Sequence, residues 1–391
     1  MRQHVYFSPG MFGFGQLGSY NYFAHVQREL ALRFTAAGHE LVPHVIDELP
    51  TASVCRRAVR LAELVAQTAG DRAPIHLLGH STGGLDARLV ASPGRCGRTA
   101  VALDWLPRLR TVTMMNTPHF GTPLASFFTT SNGQRILAAL SILTVAGLSL
   151  GSKPLAATSV ILGFLRGSET SLPFTGRLLD RSVESVVSMI DDARSPEVRT
   201  FLTAIQDDQG AMLQLSPEAM DLFAAGFEDR PGVRYQSTAS MAPSPTPSRW
   251  LETLRQPTRA LSLSLFFALH RITADHNKRY PCAAMRGTAP WSTDENERVL
   301  AGALSTAASL DANDGVVPIR SQVWGTLVWA GVADHLDVLG HFRDDRDPET
   351  VAPELRHCDW LTSGSHFDRA RFSGLMDAIA SGMIGSSHGT A

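Results

Sequence analysis

Gly79-His80-Ser81-Thr82-Gly83-Gly84 stands between the apolar run Ile75-His76-Leu77-Leu78 and the helix-patterned stretch Leu85 to Val90. A buried strand that breaks at a glycine-rich turn and re-emerges as a helix is the context in which the pattern G-x-S-x-G carries meaning. A serine on so sharp a turn takes a strained backbone, so its neighbours must lack bulky side chains, and glycines at 79, 83 and 84 meet that need. The turn lifts the Ser81 hydroxyl clear of the sheet, and the N-terminus of the following helix aims amide dipoles at negative charge that develops there. Ser81 is therefore the candidate nucleophile. The plainer alternative is a structural glycine-rich turn.

On either side of this unit, strand and helix patterns alternate. His4 to Ser8 reads as a short buried strand, followed by a Gly-rich loop from Pro9 to Gly18. Phe23, Val26, Leu30, Leu32 and Phe34 predict a helix that ends near Gly38. Glu40 to Ile46 reads as a second strand, Val54 to Ala66 as a helix, Pro74 to Leu78 as a third strand and Leu109 to Met115 as a fourth. Alternation at this spacing predicts βαβ units and the α/β class, a mainly parallel central sheet flanked by helices. The rhythm breaks from Ser131 to about Arg230, where helical patterns occur without a strand. Gly232 to Met241 and Trp324 to Ala330 read as returning strands, Pro243 to Pro257 as a loop, and Phe367 to Met383 as a closing helix. The predicted division is a core of residues 1–130 and 231–391 with a helical lid or cap inserted at 131–230.

Within that insertion, Ile136 to Ser152 carries no charge but is diluted by Ser141, Thr144, Gly147, Ser149 and Gly151, and Lys153-Pro154 ends it. A membrane-spanning helix needs about 20 predominantly apolar residues. The stretch predicts a helical hairpin over an apolar cleft rather than a transmembrane anchor. A mobile lid and an ordinary buried helix pair both fit it.

A serine hydroxyl needs a base, and the base an orienting carboxylate. In a strand–elbow–helix architecture the chain order is Ser, then Asp or Glu, then His. Asp275, Asp311 and Asp314 are downstream acids expected in loops. Asp314 stands in Asn313-Asp314-Gly315-Val316-Val317-Pro318, a tight turn before an apolar run, and is the preferred acid, with Asp311 as competitor. The alternative for Asp314 is a plain Asp-Gly turn. His335, His341, His357 and His366 follow. His335 lies just after the Trp324–Ala330 strand and is the preferred base, with His341 and His366 as the main alternatives. An oxyanion hole needs one N–H from the residue after the nucleophile, Thr82, and one from the loop after an early strand. Pro9-Gly10-Met11-Phe12-Gly13-Phe14-Gly15 fits the second requirement, with Met11 as donor, unless it is only a flexible turn.

The 391 residues carry 35 Lys+Arg against 37 Asp+Glu, a formal charge of −2. So neutral a chain has no electrostatic footprint for nucleic acid or an anionic surface. Lys153 and Lys278 are the only lysines, which points to base composition rather than to a phosphate-binding patch. Cys55, Cys96, Cys282 and Cys358 show no metal-ligand spacing; buried thiols are expected, with one bridge as the alternative. Met1 to Phe7 runs straight into a strand pattern with no leader ahead of it, so the expectation is a cytoplasmic chain, or a secreted one if a leader has been removed.

Pro9-Gly10-Met11-Phe12-Gly13-Phe14, Gly79-His80-Ser81-Thr82-Gly83-Gly84-Leu85, Asn116-Thr117-Pro118-His119-Phe120-Gly121-Thr122-Pro123, Asn313-Asp314-Gly315 and His335-Leu336-Asp337 together resemble the bacterial triacylglycerol lipases and esterases of the α/β-hydrolase superfamily. The resemblance spans most of the chain and is loose from Ser131 to Arg230. It implies an α/β-hydrolase fold and ester hydrolysis with Ser81 as nucleophile, Asp314 as acid, His335 as base, and Met11 and Thr82 as oxyanion donors. No cofactor is required for that chemistry. A structural calcium near the base is implied, with Asp337 at one ligand position. The chain departs from the pattern twice: Pro9-Gly10 stands where His-Gly is usual, and His341 where a glutamine is usual. The expected partner is a lipid or other hydrophobic ester. Phe12, Phe127, Phe128, Ile142, Leu143 and Phe164 are candidates for the acyl-binding cleft and lid, or simple core. A short-chain esterase, a polyester depolymerase, an acyltransferase and a non-catalytic binder are the competing readings.

Overall fold

The computed structural model of the chain describes residues 1–11, 16–17, 20–47, 51–93, 101–128, 130, 210–244, 246, 257–279, 293–304, 309–344, 357 and 359–386. In chain order the elements are β1 (Arg2–Ser8), a small hairpin of β2 (Gln16–Leu17) and β3 (Tyr20–Asn21), α1 (Ala24–Ala36), β4 (Glu40–Val45), α2 (Val54–Thr68), β5 (Ile75–His80), α3 (Thr82–Ala91), β6 (Leu109–Met115), α4 (Pro123–Phe128), α5 (Gly210–Gln214), α6 (Pro217–Ala225), β7 (Arg234–Met241), α7 (Pro257–Arg279), α8 (Asp294–Leu304), β8 (Thr326–Val332) and α9 (Arg369–Ser386). Six strands form one sheet in the order β4-β1-β5-β6-β7-β8, and every pairing is parallel.

Parallel strands covered on both faces read as nearly continuous apolar runs, and their side chains still alternate between the two layers. Val5 and Phe7 of β1, with Leu78 of β5, meet Phe23, Val26, Leu30 and Phe34 of the α1 region and Phe372, Leu375, Met376 and Ile379 of α9. Tyr6 and Leu77, one residue out of phase, meet Val54, Leu61 and Val65 of α2 and Leu85 and Leu89 of α3. Both clusters are buried from solvent. At the far edge α8 covers β8 through Leu300 and Leu304, and the Asn296 side chain is bonded to the backbone of Gly325 and Leu327 at 2.9 and 2.8 Å.

The strands and flanking helices fall where the spacing predicts, with ends moved by a few residues. The strand expected at Trp324 runs from Thr326 because Gly325 turns the chain with φ 63°. α7 and α8 were not anticipated. Asp275, expected in a loop, sits instead inside α7, half exposed and 3.6 Å from Arg271 one turn away. Of the proposed insertion, residues 131–209 lie outside the described residues, and with them Ile142, Leu143 and Phe164. Its last part is no detached cap: Met212, Leu215 and Met220 of the α5–α6 region join the α2–α3 core, and the Gln214 side chain accepts the Val54 N–H at 2.8 Å. Among the described residues no helix is long and apolar enough to cross a membrane. Phe12 and three of the four cysteines also lie outside the described residues.

His76 on β5 is buried, with Nε2 2.7 Å from the Gln3 side-chain oxygen and Nδ1 2.8 Å from the Thr111 hydroxyl. Burial pulls its imidazole down to about 3, helped by the charges of Arg110 and His39. Below about pH 6.5 an unfolded chain takes up a proton that the folded chain refuses, so this group's contribution to stability is lost as the pH falls. At pH 5 the loss is about 2 kcal/mol. Urea unfolding of His76→Gln and the parent chain should therefore show the variant gaining about 2 kcal/mol on the parent between pH 7.5 and pH 5. A difference that does not move with pH would contradict this.

Candidate active site

Ser81 occupies the junction of β5 and α3 with φ 54° and ψ −127°, a region that side-chain-bearing residues rarely enter. Its own N–H donates to the Met115 carbonyl at 2.8 Å, which pins the turn to the end of β6. Two residues later the packing is close: a Cβ on Gly83 would run into the Ser8 carbonyl at the end of β1. Thr82 begins α3, so its N–H lies in the first helical turn, where amides have no intrahelical acceptor.

Asp314 is fully buried and each of its oxygens is occupied. Oδ1 accepts the Val316 and Val317 N–H groups at 3.0 and 2.7 Å, and Oδ2 accepts the Asn116 side-chain amide at 3.0 Å. The remaining bond is to His335, whose Nδ1 lies 2.7 Å from Oδ2. Gly315 makes this turn possible with φ 98°, and Ala242, just past β7, donates to the Asn313 carbonyl at 2.9 Å. The acid's turn is thereby fastened to the end of β7, and His335 follows the end of β8. The alternatives do not meet Asp314: Asp311 accepts the Ser309 hydroxyl, His357 is bonded to the Gly340 carbonyl at 2.7 Å, and the His366 backbone stands at φ 52° beside Arg371. Asn116 was missed as a partner of the acid. Its left-handed φ of 48° directly after β6 is the structural sign, and the residue type alone does not announce it.

Ser81, Thr82, Gly10, Met11 and His335 line one cavity of about 120 Å³. No hydrogen bond joins the Ser81 hydroxyl to an imidazole among the described residues, and the two side chains share the polar floor of this cavity. Its walls are apolar, with Leu124, Phe128, Leu215, Leu269, Val316 and Leu361. Phe128, one of the candidates for the acyl-binding cleft, is among these wall residues. Phe127, one residue away on α4, is partly buried against the same core cluster and does not line the cavity. His341, the alternative base, lines the cavity near Trp360 and is held near 3 by burial and by His25 and His357.

Beneath the Gly10-Met11 loop lies a fully buried ion pair. Arg57 of α2 donates to the Asp86 carboxylate of α3 at 2.9 Å and to the Pro9 carbonyl, and the Ser8 hydroxyl donates to the same carboxylate at 2.6 Å. Burial raises the Asp86 carboxyl, and Arg57 and Ser8 oppose that rise.

Asp337 is buried two residues past the base. Its Oδ2 accepts the Asp334 N–H at 2.8 Å and the Ser365 hydroxyl at 2.6 Å. Asp334 in turn accepts the Leu336 and Asp337 amides at 2.9 and 3.0 Å and the Ser363 hydroxyl at 2.7 Å. Burial first, then Asp359, pushes Asp334 up to about 7, and burial with the Asp334 charge pushes Asp337 up as well. Three of the four carboxyl oxygens are already bonded to protein donors. Among the described residues no three acidic, histidine or cysteine side chains are disposed to hold a metal ion. The donors among the described residues do not fit the calcium that the resemblance implies.

No family model matches the chain, and no curated protein sequence does. Among solved structures it is similar to a metagenomic carboxyl esterase (15% identity, covering 97% of this chain and 74% of that one, TM-score 0.48). It is also similar to the Staphylococcus hyicus lipase (16% identity, 98% and 96%, TM-score 0.46) and to EstA from Clostridium botulinum (15%, 96% and 86%, TM-score 0.45). The assignment of the fold rests on the geometry: an elbow after an inner strand of a parallel sheet, and an acid and an imidazole at the ends of the later strands. The fold is that of an α/β-hydrolase.

The buried Arg57–Asp86 pair yields a stability prediction. Removing one partner strands the other charge in the interior, at a cost of about 3–5 kcal/mol. Asp86→Asn should lose stability on that scale in urea unfolding, and Arg57→Met with Asp86→Leu should recover most of it. A loss below about 1 kcal/mol for Asp86→Asn would show that the pair contributes only as a surface one does.

Proposed function

We propose that the chain is a serine hydrolase of carboxylic esters, working through an acyl-enzyme on substrates with apolar acyl groups. The observation that carries the reading is the 2.7 Å bond between buried Asp314 and His335, with Ser81 on the floor of the same apolar-walled cavity. With Nδ1 engaged by the carboxylate, Nε2 is left as the basic nitrogen. It takes the Ser81 proton as the hydroxyl oxygen bonds to the ester carbonyl carbon. The electron pair moves to the carbonyl oxygen, and the Met11 and Thr82 amides receive that oxyanion; one such donor is typically worth about 2.7–4 kcal/mol of barrier. Protonated His335 then gives its proton to the departing alkoxide, and the acyl group stays on Ser81. Water attacks next, with the same imidazole as base, and releases the acid. Asp314 holds the imidazole in register and balances its transient charge without taking the proton itself. No cofactor enters.

The apolar wall supports a hydrophobic acyl group over acetate. Along a series of p-nitrophenyl esters, kcat/KM is expected to rise from the acetate to the medium-chain esters. A maximum at acetate would mean a short-chain esterase. Ser81→Ala should lower kcat by a factor of about 10⁴ or more while leaving the thermal transition in place. Full turnover in that variant would defeat the assignment.

A further inference from the structure

We propose that Tyr22 and His80 form a positioning relay that holds the oxyanion loop and the catalytic base at a fixed separation. The inference rests on the roles given above to Ser81 and His335. His80 is the first of the two variable residues of G-x-S-x-G, and nothing in that motif demands an imidazole there. Its side chain is fully buried, and both ring nitrogens are used. Nε2 lies 2.9 Å from the His335 carbonyl oxygen, and Nδ1 lies 2.7 Å from the Tyr22 hydroxyl. The Tyr22 oxygen in turn lies 3.3 Å from the Gly10 N–H.

The direction of every bond in this chain follows from its ends. A carbonyl oxygen can only accept, so His80 must donate from Nε2. Its Nδ1 is then the acceptor, and the Tyr22 O–H must donate to it. That leaves a lone pair on the Tyr22 oxygen for the Gly10 amide. The sequence runs from Gly10 N–H to Tyr22, from Tyr22 to His80, and from His80 to the backbone of His335, with one arrangement of protons. Burial, followed by the charge of His335, holds His80 far below the usual imidazole range, so the ring keeps its single proton at working pH.

Three separate loops are tied by this chain. Gly10 is the residue before the proposed oxyanion donor Met11, and its Cα is packed so tightly that an added Cβ would lie 3.0 Å from both the Ser81 Cβ and the Tyr22 hydroxyl. His80 precedes the nucleophile. His335 is held at three points, its ring and its N–H by the Asp314 carboxylate and carbonyl and its own carbonyl by His80, and the two imidazole rings lie 4.6 Å apart at 49°. Neither Tyr22 nor His80 is required to touch the reacting atoms; their effect is on distance. A displacement of about 1 Å at a reacting group can cost about 10²-fold in rate.

The relay makes a prediction that simple packing does not. Tyr22→Phe keeps the ring and removes both bonds of the hydroxyl. It should lower kcat about 10- to 100-fold on a p-nitrophenyl ester while KM changes less than about twofold. His80→Leu should fall at least as far. His80→Gln should stay within about threefold of the parent, because its amide can donate to the His335 carbonyl while its oxygen accepts the Tyr22 O–H. The labelling rate of Ser81 by a fluorophosphonate should follow kcat across the series, with melting temperatures of Tyr22→Phe and His80→Gln near that of the parent. Unchanged kcat in Tyr22→Phe and His80→Leu would overturn the relay, as would a His80→Gln variant no better than His80→Leu. A parent chain whose Ser81 resists the probe would instead overturn the active-site reading, and the relay with it.

Discussion

The contact on which the site depends is between the first turn of α3 and the last residue of β1. Gly83 lies against the Ser8 carbonyl with no room for a Cβ, and this closeness holds Ser81 at φ 54°. Relaxing that turn would move the hydroxyl, the Thr82 amide and the loop after Ser8 together, because all three meet at the same point. Strain of this kind costs of order 1–3 kcal/mol and persists only where the surroundings over-determine it. Here the surroundings are β5 and α3, in which every residue from Ile75 to Ala91 is buried.

Around that contact the chain buries several carboxylates, and each accepts hydrogen bonds from more than one donor. Burying a charge without partners is costly, whereas a carboxylate that accepts several N–H and O–H bonds is tolerated. Asp86 is shared by Arg57 and Ser8 under the oxyanion loop; Asp314 is shared by Asn116, Val316, Val317 and His335. Asp334 and Asp337 grip Ser363 and Ser365 just past the base. These three knots stand under the three loops that must converge, so the same bonds that stabilise the fold set the distances of the site. An apolar acyl group filling the space between the apolar walls would displace water, which strengthens such interactions.

Much of this was legible in the residues alone, for a physical reason. The elbow needs a local pattern of small residues around one serine, so it is written in six consecutive positions. The parallel strands are buried on both faces, so they stand out as apolar runs with turns between. The pairing of Asp314 with His335 was readable because each sits in a loop at the end of a strand. Tyr22, His80 and Asn116 escaped because their partners are 58, 255 and 198 residues away, and no local periodicity records such a bond. α7 was hidden by polar residues scattered through its length, and with it the fact that Asp275 belongs to a helix.

The central claim is that an acyl group passes through Ser81. The most direct measurement is to quench a p-nitrophenyl ester reaction with acid during turnover, digest the chain and locate the acyl group by mass spectrometry. One acyl group on the peptide that carries Ser81, appearing with the first burst of p-nitrophenol and absent after substrate is exhausted, is the predicted result. Sustained turnover with the acyl group on another residue, or with no acylated peptide under conditions that trap a burst, would contradict it.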